Sequence, residues 1–189
     1  MMAISLEKGQ KTALDAGLTQ VTVGVGWNPR LDAGDDFDLD ASAFLLNADG
    51  KVRSNDDCIY FNQRKSPCGA VVHMGDNCDG AGDGDDEKIC VFLSKVPADV
   101  ERIVFTVTIY GAKARRQNFG MVDSAFIRIV DGKSGEEIAR FELTEDACIN
   151  QALVFGELYR RHGAWKFRAI GEGYDYEINE LAAHFGCFV

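Results

Sequence analysis

Six carboxylates fall within the thirteen residues GDNCDGAGDGDDE, Gly75 to Glu87: Asp76, Asp79, Asp83, Asp85, Asp86 and Glu87. Side chains of this type and density do one kind of chemistry well, the coordination of a hard cation. Calcium takes about six to eight oxygens at roughly 2.3–2.6 Å, drawn from carboxylates, amides and backbone carbonyls. Gly75, Gly80, Gly82 and Gly84 let the backbone bend into conformations that other residues resist. The stretch has no apolar face to bury, so without an ion it reads as a solvated, self-repelling acidic turn. It is not an EF-hand. Counting from Asp76, positions 3 and 5 are Cys78 and Gly80, and Ala81 stands where the turn glycine belongs.

A second acidic group lies upstream in LDAGDDFDLDASAFLL. Phe37, Leu39, Ala41, Ala43 and Leu45 alternate with Asp36, Asp38, Asp40 and Ser42. In a strand, residues two apart share a face about 6.6 Å from one another, so the three carboxylates stand in a like-charged row. A counter-ion relieves that row; the alternative is a solvent-facing acidic strand. Asp32 and Asp35, just ahead, could contribute from a loop. Two acidic clusters could also hold a pair of ions and activate water for hydrolysis. Against this, His73, His162 and His184 share no metal-ligand spacing, and no Ser/His/Asp or Cys/His arrangement is readable. Lys113, Arg115 and Arg116, followed by Gln117 and Asn118, form a basic loop fit for a partner's acids, an oxyanion or nearby carboxylates.

The elements that must position these groups are mostly strands. QVTVGVGW alternates through Val21, Val23, Val25 and Trp27, the period of a half-buried strand. CIYFN, AVVHM, KICVFLSKV and ERIVFTVTIY add further strands, and the acidic loop joins the second and third of these. AFIRIVD and EEIARFEL flank the turn 131–135 as a hairpin. Thr144 reads as an N-cap, with Glu145 and Asp146 favourable near a positive helix end. ACINQALVFGELYRR then predicts an amphipathic helix ending near Gly163, and AWKFRAI a final strand. A short helix follows from Asp175, with Ile178, Leu181, Ala182 and Phe185 on one side and Gly186 closing it. The expected fold is mainly β, a two-sheet β-sandwich with two or three peripheral helices.

The 189 residues fit a single domain, 1–189, with 46% hydrophobic residues and only three prolines. The net charge of −10 argues against nucleic acid, whose phosphates the chain would repel. No apolar run reaches the length of a membrane span, and MMAISLEKGQK turns polar too early for a secretory signal. The expected location is cytoplasmic. The six cysteines form no zinc spacing and are expected to be reduced; Cys58 and Cys68 could meet across a hairpin, but a structural disulfide is not expected. Calcium does not seek sulfur, so Cys78 stays off the ligand set.

Taken together, GWNPR, FDLDASAFLL, GDNCDGAGDGDDEKI, ARRQNFGMV, ARFELTEDA and FGELYRRHGAWKFRAIGEGY resemble the TerD-type tellurium-resistance and stress proteins. The similarity runs in order from SLEKG to the last helix. It implies a cytoplasmic β-sandwich with a TerD domain, calcium as cofactor, a part in resistance to tellurite and other stresses, and no established catalytic activity. Its ligand pattern falls on Asp36, Asp38 and Asp40, and in the loop on Asp76, Asn77, Asp83, Asp85, Asp86 and Glu87. Asp79 stands at a variable position and is held out. The implied partners are calcium ions and proteins, other family members among them. A calcium-dependent membrane-surface adaptor is the alternative, since bound calcium would turn an acidic tip attractive to anionic lipid.

Overall fold

A computed structural model of the chain describes residues 3–28, 34–75, 84–122, 124–143 and 149–189. Twelve strands run through them: β1 (Ile4–Ser5), β2 (Lys11–Ala13), β3 (Gln20–Gly26), β4 (Leu39–Leu46), β5 (Cys58–Ile59), β6 (Val71–His73), β7 (Glu87–Phe92), β8 (Arg102–Ile109), β9 (Phe126–Asp131), β10 (Glu137–Glu142), β11 (Ala152–Arg161) and β12 (Ala164–Tyr174). The helices among them are α1 (Ala112–Arg115) and α2 (Ile178–His184), joined by three short 3-10 turns. The first sheet has the order β1-β10-β9-β3-β7-β6 and the second β2-β12-β11-β8-β4-β5. The expected two-sheet β-sandwich is the observed architecture.

The alternation of apolar residues built this arrangement. Val21, Val23 and Val25 of β3, Leu39, Ala41, Ala43 and Leu45 of β4, and Ile103, Phe105 and Val107 of β8 all enter the core between the sheets. The second sheet is also apolar on its outer side. There Phe44, Leu46, Val104, Ala152 and Val154 meet Leu181, Ala182 and Phe185 of the C-terminal segment, so α2 covers that face. Its start is fixed by reciprocal bonds between Glu177 and Glu180, and Gly186, at φ 84, ends it. None of the helices among the described residues is long and apolar enough to cross a membrane.

Two expectations fail. The predicted amphipathic helix over ACINQALVFGELYRR is, from Ala152 to Arg161, the strand β11, paired to β8 on one side and β12 on the other. Its first seven residues are all buried, and Glu157 is the one charged side chain among them, so no period-2 signal survives. A register shift between Val154 and Gly156 disturbs the alternation further. The residues taken as a helix end, His162 and Gly163, have φ of 53 and 77 and turn a two-residue hairpin into β12. The predicted cap at Thr144 lies outside the described residues.

The second failure is the disulfide. Cys58 of β5 is bonded to Cys187, 129 residues later, and locks the C-terminal segment to the second sheet. Cys68 is not its partner; that thiol lies 3.3 Å from Ser66 Oγ and is free, as is Cys90. Cys78 and Cys148 are outside the described residues.

A candidate metal centre at the acidic end of the sandwich

The two acidic stretches reach the same end of the molecule, and Trp27 ties them. Its indole Nε1 donates to the carbonyl of Phe37 at 3.2 Å, while its backbone N donates to Asp86 Oδ2 at 2.9 Å. Asp36 is exposed, Asp38 half-buried and Asp40 buried. Asp40 pairs in register with Thr108, and Ser42 with Thr106. Leu39 and Ala41 enter the core between the sheets, so Asp40 and Ser42 project from the outer face of the second sheet.

The three consecutive acids at the end of the loop go to three different places. Asp85 lies across β3 and takes Arg128 Nε at 2.6 Å, with Arg128 also bound to Glu137 at 3.0 Å. The hydrogen bond to Asp85 holds the Arg128 guanidinium protonated beyond its ordinary range, against the opposing effect of burial. Gly24 permits this: a Cβ there would stand 2.2 Å from the Asp85 carboxyl carbon. Asp86 is fixed by Trp27 and by its own backbone N, which donates to Val25 at 2.9 Å. Glu87 turns inward and accepts the backbone N–H of Ala41 on β4. His73 Nε2 meets the carbonyl of that same residue at 3.2 Å and stands 3.7 Å from Glu87 Oε2.

This last contact solves a problem of strand length. β5 covers β4 only at Ala43 and Phe44, which leaves Ala41 beyond the end of its neighbour. The peptide groups of Ala41 are buried and must be satisfied. Two side chains of the first sheet, His73 and Glu87, replace the missing strand. Gly75 N donates to His73 Nδ1 at 3.4 Å, so Nε2 carries the proton and donates to Ala41. Sequence reading missed His73 in this role, and no spacing signal would have found it.

The basic loop lies over the acids. Gln117 Nε2 donates to the carbonyls of Asp35 and Asp36 at 2.8 and 3.2 Å, and Arg115 reaches the Asp36 carbonyl at 3.5 Å. Lys113 is bound to Glu180 of α2 at 2.7 Å.

Whether this end suits calcium is tested by its remaining oxygens. Ser42 Oγ, Thr106 Oγ1 and Thr108 Oγ1, on the face shared with Asp40, are buried without a hydrogen-bond partner, and so is Gln117 Oε1 beside Asp35 and Asp36. Buried hydroxyl and amide oxygens without partners are uncommon, and they suit a hard cation. Among the described residues no three Asp, Glu, His or Cys side chains stand together as a metal cluster. Asp76, Asn77 and Asp83 of the expected ligand set, with Asp79, lie outside the described residues.

Fold and site together define an acid-tipped, two-sheet β-sandwich. A family model described as TerD domain matches residues 2–185. A tellurium resistance protein TerD from Alcaligenes sp is 52% identical over 188 residues, covering 98% of both chains. General stress protein 16U of Bacillus subtilis (strain 168) is 51% identical over 189 residues, again with 98% of each covered. Among solved structures, SAV2460, a protein of unknown function, superposes with a TM-score of 0.74 at 26% identity, covering 88% of this chain and 95% of the other. The chain belongs to the TerD domain family, which includes tellurium-resistance and general stress proteins.

Proposed function

We propose that this protein is a cytoplasmic, non-catalytic module of the stress response, built as one domain, that binds calcium at its acidic end and engages protein partners according to its calcium state. The observation that carries the reading is the meeting of the two acidic stretches: Glu87 is bound to the backbone next to Asp40, and Trp27 joins Asp86 to the Phe37 carbonyl. Asp36, Asp38 and Asp40, with loop residues Asp76, Asn77 and Asp83, are the proposed direct ligands. Asp85, Asp86 and Glu87 position the loop through Arg128, Trp27 and Ala41.

Calorimetry and thermal melting after chelator stripping test it. A ligand that binds only the folded state stabilises by about 2.7 kcal/mol at a hundredfold excess over its dissociation constant. For a domain of this size that is a rise in melting temperature of roughly 5–11 °C per site. Magnesium should do much less, because it dehydrates reluctantly. Asp38→Asn should shrink the calcium effect. A melting temperature indifferent to calcium would remove the site.

One observation favours the membrane-adaptor alternative. Tyr110, whose backbone N is bound to Asp38, is exposed, and so are Met121 and Ile149, on segments joined through the Phe119–Asn150 backbone bond at this same end. Exposed apolar residues beside a calcium site could enter a bilayer surface. Sedimentation with anionic vesicles, with and without calcium, separates the two readings: only the adaptor pellets.

A further inference from the structure

The chain carries ten net negative charges, yet one face reverses the sign. At the other end of the second sheet, near the start of β8 and the end of β11, a polar pocket of about 290 Å³ opens on the outer surface. Five cations line it, Lys11, Arg102, Arg160, Arg161 and Arg168, against two carboxylates, Glu101 and Glu157.

Strand register assembles it. Glu157 of β11 stands opposite Arg168 of β12, and Arg168 stands opposite Lys11 of β2. Two pairs along, Tyr159 stands opposite Arg102 of β8. Glu157 is buried at 4% exposure and shares its two oxygens: Oε1 holds Arg168 at 2.8 Å, and Oε2 lies 3.9 Å from Arg102. Each guanidinium has five N–H donors, so one shared carboxylate orients both and leaves most of their donors for something else. Both remain partly open to solvent, at 40% and 44%. Arg160 is otherwise engaged, with its guanidinium on the Val96 carbonyl and over the Trp165 ring. Lys11 and Arg161 are exposed at the rim.

A buried carboxylate needs compensation, and one arginine would provide it. Here two are clamped and two further cations converge on the same cavity. We propose that this pocket binds a small, doubly charged oxyanion of the phosphate class, either free or as the terminal group of a phosphomonoester lipid. Arg102 and Arg168 supply paired planar donors for its oxygens, Lys11 and Arg161 supply charge, and the Tyr159 hydroxyl adds a neutral donor.

The experiment titrates inorganic phosphate into the full chain by calorimetry at fixed ionic strength, with chloride as the control. Saturable binding is expected with phosphate and not with chloride. Lys11→Gln and Arg161→Gln, both at exposed positions that leave the Glu157 clamp intact, should each weaken it roughly tenfold, the effect of losing one charge-assisted contact. Vesicles containing phosphatidic acid form a second arm. Pelleting that either variant abolishes assigns the site to a lipid headgroup, and phosphate binding without pelleting assigns it to the free ion. Phosphate binding no different from chloride, or unchanged in both variants, overturns the site.

Discussion

Asp85, Asp86 and Glu87 are adjacent in sequence and alike in charge, yet each fastens a different strand. Asp85 and Asp86 stand in the bend that precedes β7, which begins at Glu87, so the chain changes direction between them and the three do not share one face. The arrangement depends on Gly24, whose missing side chain is the space Asp85 occupies. Gly24→Ala should therefore cost about 1–3 kcal/mol by overpacking. In an Asp85→Ala background the same substitution should cost much less, a coupling that denaturant melts of the four proteins would measure. Equal costs in both backgrounds would mean that Asp85 does not lie over β3. At this scale the sequence was half legible. The acidic stretches announced themselves by composition. That Asp85 would find Arg128, 43 residues away, depended on strand pairing that no local pattern encodes.

Among the elements, strands whose sequences alternate polar with apolar residues were readable, β4 and β8 included although both their faces are buried, and β11, which lacks that alternation, was not. β3, β8 and the β9–β10 hairpin alternate as their sequences do. β11 lies between β8 and β12 with the core on one side and α2 nearby on the other, so its sequence says only that it is buried. The His162–Gly163 turn was the available clue, a pair suited to positive φ between two apolar segments. α2 was legible from its spacing, but its attachment was not, because cysteine pairing over 129 residues has no sequence signature. Replacing Cys187 by serine should lower stability by about 4–5 kcal/mol on the loop-entropy account, read as a fall in denaturation midpoint. Reductant should reproduce that fall in the parent protein and do nothing to the variant. The pair Lys113–Glu180 also holds α2, to α1. Its hydrogen bond from Lys113 draws the Glu180 carboxyl below its usual range. A depressed carboxyl stabilises the fold above its unfolded value, near 4.5, and that contribution fades as pH falls through the lower folded value. The melting temperatures of the parent and Lys113→Met should thus differ above about pH 5 and converge under more acid conditions. A gap that persists at pH 2 would mean that Lys113 acts through packing.

The whole molecule is electrically lopsided. The acidic stretches gather where β4 begins and β8 ends, and the cationic pocket lies where β8 begins and β11 ends. Both ends are set by the same central strands, so their separation is fixed by strand length and not by a hinge. Calcium at one end and an oxyanion at the other should add their stabilisations almost independently, as distant sites do. Thermal melts with each ligand and with both would show it, and a combined shift well short of the sum would expose coupling through the sheet.

The cover over the second sheet lies far along the chain from the strands that it covers. Phe44, Leu46 and Val104 are made early, but Leu181, Ala182, Phe185 and Cys187 complete their cluster only after β9 to β12 have followed. β2 likewise waits for β12, and β1 for β10. A ribosome carrying this protein therefore holds an open sandwich with a greasy flank until Phe185 has emerged, and pairings of such long range close slowly. Molecules released just short of Phe185 would keep that flank bare, which makes them natural clients of chaperones and early targets of proteases.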